Sequence, residues 1–178
     1  VEIENEERMR NLAWLSLARV YYTAANRVDP ETGEHNINGQ FLGQAVEAWN
    51  QIEPDSEYWL DALFESSWAF FLADEYSRAL GNVHTLNSPY FPQAYYPEGV
   101  VIKAVTFFVN CQLENAEAMI QLFHTRYDPV RTQLDTTLAQ FEDNASFFEF
   151  LKAVRAGTAE LPENIRGLVA SALSDRTV

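Results

Sequence analysis

The chain has 178 residues, of which 47% are hydrophobic and 13% aromatic, enough for a buried core and too much for intrinsic disorder. Its formal net charge is −14 and its only lysines are Lys103 and Lys152, so nucleic acid and anionic membrane surfaces, which need clustered cations, are excluded as expected partners. The single cysteine, Cys111, rules out an intramolecular disulfide, and no apolar run is long enough to cross a membrane.

The chain begins at Val1 and not at a start Met. A mature chain with a removed targeting segment and an excised fragment both fit that start. The first periodic stretch is Trp14-x-x-Leu17-Ala18-x-x-Tyr21, a helix with one apolar stripe. A polar segment follows from Asn26 to Gly39, and its Asp-Pro and Thr-Gly pairs predict a surface loop. Oxygen-bearing side chains alternate in it, but counting from Asp29 places Gly33 fifth and Gln40 twelfth, which fails the calcium-loop pattern. Ala45, Trp49 and Ile52 then mark a helix ending near Pro54.

From Leu63 to Leu86 the apolar spacing predicts two helices with a break at Ala73–Tyr76, closed by Pro89 and Pro92. The pattern returns from Val100, Ala104 and Phe107, through a break at Leu113, to Ala116, Ile120 and Phe123, with Asp128-Pro129 expected to end it. Ala45 and Ala79 are 34 residues apart, and Ala79 and Ala116 are 37 apart. Beyond Pro129, the spacing predicts helices over Val130–Phe141 and Ala145–Ala156, the second capped by Asp143-Asn144 and closed by Gly157. Leu161-Pro162 opens a last one.

These residues resemble the tetratricopeptide-repeat (TPR) family, whose repeat reads W-x₂-L-G-x₂-Y, then A-x₃-F, then P, at a period near 34. Trp14, Leu17, Ala18 and Tyr21 fit the first part with Ala for Gly, and Ser67 and Ala104 hold the small position in the next two copies. The resemblance covers Trp14 to Pro129 and implies an all-α solenoid of about three helical hairpins. Residues 1–129 are then the repeats, with an insertion at 26–39 in the first, and 130–178 a C-terminal helical cap. Ser66 and Lys103 depart from the family pattern, since apolar residues are expected there.

By the same resemblance, the concave face carries Leu15, Arg19 and Tyr22, then Phe64, Trp68 and Phe71, then Val101, Val105 and Phe108. Leu12, Asp61 and Glu98 extend it. Exposing the middle aromatic set would forgo roughly 1.5–3 kcal/mol per side chain, so something should cover it. A partner helix or peptide is one candidate; the chain's own C-terminal helices, which have apolar faces to offer, are the favoured one. In the latter case the insertion or the convex side would bind the partner. The carboxylate clamp of chaperone-binding TPR domains is not expected, because Leu15, Phe64 and Val101 stand where cations and Asn would be needed.

Nothing in the sequence predicts catalysis, a metal or a cofactor. His35, His84 and His124 lack ligand spacing, Cys111 is expected to be a buried inert thiol, and no phosphate loop, G-x-S-x-G or HExxH is present. The expectation is a protein-binding adaptor or scaffold, with an apolar pocket for a small hydrophobic ligand or lipid chain as the alternative. The run Ser66-Ser67-Trp68-Ala69-Phe70-Phe71, with its following Pro-Tyr-Phe-Pro and Tyr-Tyr-Pro-Glu, is also similar to TPR proteins of the bacterial cell envelope. That similarity implies a periplasmic location, with the cytoplasm as alternative.

Overall fold

The computed structural model describes residues 2–33, 35–91 and 94–174. Eight helices and one small β-hairpin lie among them: α1 (Glu2–Ala25), β1 (Asn26–Val28), β2 (His35–Ile37), α2 (Gly39–Trp49), α3 (Trp59–Leu72), α4 (Tyr76–Leu86), α5 (Glu98–Val109), α6 (Leu113–Leu138), α7 (Asn144–Arg155) and α8 (Glu163–Ser174). The chain is mostly helical, in agreement with the all-α class. Pro92 lies outside the described residues, as do 175–178 of the C-terminal segment.

The heaviest packing joins α1 to α2, α3 to α4, and α5 to α6. Lighter contacts link α2 to α3, α4 to α5, and α3 to α5. Small residues make these pairings close. Ala18, Ala45, Ala48, Ala62 and Ala69 are buried in a first cluster with Leu15, Trp49 and Ile52. Phe70, Ala79, Val83 and Ile102 form a second, against which Phe64, Trp68 and Phe71 pack. Of the first signature, Ala18 is fully buried while Leu17 is exposed.

The turns after α3 and α5 are built alike. Asp74 (φ 58°) and Cys111 (φ 57°) both sit in the left-handed region. Glu75 N–H donates to Phe70 C=O and Gln112 N–H to Phe107 C=O, each at 2.8 Å. Asp74 N–H reaches Phe71 C=O at 3.1 Å and Cys111 N–H reaches Phe108 C=O at 3.0 Å. This doubled hydrogen-bond pattern closes a helix by satisfying its last carbonyls. Gly157 (φ 71°) closes α7 the same way, its N–H on Val154 C=O at 3.0 Å and Thr158 N–H on Ala153 C=O at 2.9 Å.

Three sequence expectations are corrected. The insertion is not a plain loop: Asn26 pairs with Ile37, Arg27 with Asn36 and Val28 with His35 in an antiparallel ladder. Asp29 turns it, accepting from Glu31 N–H at 2.7 Å and Thr32 N–H at 3.1 Å, and Gly33 takes φ 72°. Those backbone hydrogen bonds hold the Asp29 carboxyl below its ordinary pKa. Asn38 then caps α2, its Oδ1 accepting from Gln40 N–H at 3.0 Å and Phe41 N–H at 3.1 Å. Second, Pro129 does not end a helix. It sits inside α6, which runs on to Leu138 and so crosses the boundary drawn at 129. Third, Cys111 is exposed. A left-handed turn position projects from the helix end, which is why an apolar neighbourhood in sequence does not bury it.

Candidate functional site

The nine residues expected on one concave face divide into three environments. Leu15 is a core residue, 2% exposed, because it lies at the contact of α1 with its neighbours and offers no surface to a partner. Arg19 and Tyr22 are engaged within the fold. The Arg19 guanidinium binds Glu65 of α3 through Nε at 2.9 and 3.1 Å and through an η nitrogen at 2.5 Å. The Trp49 indole N–H donates to the same carboxylate at 3.2 Å. Hydrogen bonding to Glu65 raises the Arg19 pKa, and burial, with Glu65 nearby, raises that of Tyr22. Tyr22 also packs on Trp49, their rings 5.8 Å apart.

The central aromatic set is half-buried, but not by the C-terminal helices. Phe64 packs on Tyr96 at 5.1 Å between ring centres, and the Tyr96 hydroxyl donates to Asp61 at 2.6 Å. Phe71 packs on Trp68 at 6.0 Å and on Tyr76 at 5.7 Å. The cover comes from the segment between α4 and α5 and from α4 itself. The principal contacts of α8 are with α6 and α7, so the expectation that the C-terminus folds back over α3 is corrected. Its physical reason is the length of α6: 26 residues against 11 in α4. The added helix carries α7 and α8 away from α3, at about 1.5 Å per residue.

Val101, Val105 and Phe108 remain. They converge with Ala116, Met119, Ile120 and Phe123 of α6 on an apolar groove of about 320 Å³. Phe108 is 64% exposed and Ile120 51%. The α6 side of this groove was not recognised in the sequence as a surface. Its signal is the 37-residue offset: Ile120 stands where Val83 stands and Phe123 where Leu86 stands, yet both Val83 (0% exposed) and Leu86 (4%) are buried. The second pair is covered by α5, and among the described residues no helix is seated in the corresponding place on the third.

A polar cleft of about 400 Å³ lies between the α3–α4 turn and the C-terminal end of α5. Its charged groups satisfy one another: Arg78 pairs with Glu75 at 2.8 Å and stacks on Phe70 at 3.9 Å, while Asp74 accepts from the Tyr76 hydroxyl at 2.6 Å. Lys103 is half-buried on α5, and burial lowers its pKa. His84 and His124 are exposed, the latter 3.0 Å from Asp128. Among the described residues no three His, Cys, Asp or Glu side chains group as a metal site, and no helix is long and apolar enough to cross a membrane.

The chain matches no family model, no curated protein and no solved structure.

Proposed function

We propose that this chain is a non-catalytic, TPR-like adaptor that holds a segment of another protein, and that its binding surface is the groove between α5 and α6. The observation that carries this is the continuous apolar lining from Val101 to Phe123, with Phe108 and Ile120 more than half exposed. Large side chains grouped in an open groove cost solvation free energy until covered, and such patches on otherwise polar proteins mark interaction sites. The repeat-like design has its own support: paired helices at a 37-residue offset, small residues at each contact and matching left-handed turns at Asp74 and Cys111.

The test is affinity capture with the wild-type chain and with Phe108→Glu, a substitution at an exposed position that should leave the circular dichroism spectrum unchanged. Proteins held by the wild type should be lost from the variant. Equal capture by both would sink the groove as the binding surface. A second reading has one observation in its favour: the groove volume falls within the range of roughly 300–1,000 Å³ typical of small-ligand sites. A hydrophobic molecule co-purifying in native mass spectrometry, and absent from Phe108→Glu, would favour that reading over the adaptor. The similarity of the Ser66–Phe71 run to cell-envelope TPR proteins supports a periplasmic setting.

A further inference from the structure

Among the described residues, α3 and α5 are seated on the helix pairs that precede them, and they follow one rule. α3 covers α1–α2 and places Ala62 and Ala69 in the shared cluster at 3% and 0% exposure. α5 covers α3–α4 and places Gly99 and Thr106 at the 37-residue equivalents of those positions, both buried. The need for a small residue is visible at Gly99, where a Cβ would stand 3.2 Å from Val83 Cγ1. Between the two small residues lies one that reads the acceptor face. On α3 it is Glu65, which meets Arg19 and Trp49. On α5 it is Ile102, buried in the cluster on which Trp68 packs. Arg19, Trp68 and Val105 occupy equivalent positions on α1, α3 and α5. A cation therefore receives a carboxylate, and an aromatic ring receives an aliphatic side chain.

We infer that the α5–α6 groove is a third acceptor face of the same kind, continuous with those two interfaces, and that it takes an α-helix of a partner protein. This rests on the adaptor reading above and names the partner's chemistry. The helix carries a small residue, an apolar residue three positions on to meet Val105, and a second small residue four positions further. A basic partner is favoured over an acidic one, because the first turns of α5 and α6 carry Glu98 and Glu114 and the chain has a net charge of −14. The chain's own α7 does not meet this description. Its small residues Ser146 and Ala153 have the spacing, but Glu149 stands between them, and Val105 offers that carboxylate no cation. The same objection applies to α7 of a second copy. α8 is already seated on α6, with Ile165 fully buried.

The probe is a labelled, hydrocarbon-stapled peptide of residues 95–112 of this chain, whose helix carries the required pattern with Ile102 as its apolar reader. Anisotropy titrations against the intact protein should show saturable binding, lost on Ile120→Lys. The Ile102→Glu version of the peptide should bind at least tenfold more weakly. Val105→Arg in the protein should reverse that preference, as Arg19 does for Glu65. No binding, equal binding of the two peptides, or binding untouched by Ile120→Lys would overturn the proposal. So would a dimer in sedimentation that Ile120→Lys dissociates, since a second copy would then own the groove. The adaptor reading stands or falls separately, on loss of partner capture by Phe108→Glu.

Discussion

Asp74 and Cys111 hold the same left-handed backbone conformation, 37 residues apart, and their flanking amides reach back to the preceding helix in the same pattern. A side chain with a Cβ is strained there, and glycine is not. Cys111 makes no compensating side-chain bond of the kind Asp74 makes with Tyr76. Cys111→Gly should therefore leave stability unchanged or raise it by about 0.5–1 kcal/mol, whereas Cys111→Val should lower it by about 1–2 kcal/mol, because β-branching is least tolerated at positive φ. Urea titration of the three proteins checks this. A Val variant as stable as the wild type would mean that the turn is not held in the left-handed form.

Glu65 joins α3 to both helices of the first pair, through Arg19 and the Trp49 indole. Its side chain is 21% exposed and that of Arg19 49%, so solvent screens part of the attraction. Glu65→Ala also strands the indole donor. The expected loss is about 1–3 kcal/mol for Glu65→Ala, with a coupling of about 1 kcal/mol to Arg19 in a double-mutant cycle. Glu65→Gln should recover part of the loss by keeping an acceptor for Trp49. Additive single-mutant effects would show that the pair contributes nothing beyond its separate members.

Gly99 shows what the packing of covering helices demands. Val83 is β-branched and fully buried, so it has little room to retreat from a side chain added opposite it. Gly99→Leu should cost about 2 kcal/mol despite the better helix propensity of leucine. Gly99→Leu combined with Val83→Ala should recover much of that cost by returning volume at the same contact. Thermal unfolding of the single and double variants gives the answer, and a double variant less stable than the sum of its parts would refute the close-contact explanation.

The helices of the first three pairs were legible because their cause is local: apolar residues at helical spacing, and small residues where one helix must approach another. Ala18, Ala45, Ala79 and Ala116 could be assigned to contacts from sequence alone, and all four are buried. The ends were less legible, since competing tertiary effects set them. Cys111 lies in an apolar run yet projects from a turn, and Asn26–Val28 pairs with His35–Ile37 where only a loop was expected. The candidate site was half legible. Its α5 side follows from the column Leu15, Phe64, Val101 and its neighbours. The exposure of Ile120 and the half-burial of Phe123 depend on which helix fails to cover them, and that is fixed by the length of α6, a non-local quantity.

Pro129 is the residue responsible for that misreading. Inside α6 it supplies no N–H to the ladder and its ring crowds the carbonyl one turn earlier. Pro129→Ala should stabilise the protein by about 1–3 kcal/mol and slow amide exchange across 126–138, provided α6 is continuous in solution. Were α6 broken at this point, the substitution would gain little and exchange on its two sides would differ before and after it.

Acid should weaken the cap at the start of α7. The Asp143 side chain accepts from Ser146 N–H at 2.7 Å, and this hydrogen bond, with the Ser146 side chain, holds its carboxyl below its ordinary pKa. A depressed folded-state pKa means that the unfolded chain binds the proton more tightly. The cap's contribution is therefore fully present above the ordinary carboxylate range and disappears as pH falls through the depressed value. Exchange of the Ser146 amide should accelerate across that acid window beyond the intrinsic pH trend. Asp143→Asn keeps an oxygen acceptor at every pH, so it should preserve the cap near neutrality and flatten the acid response. An unchanged acid profile in Asp143→Asn would assign the acid sensitivity of α7 to a different carboxylate.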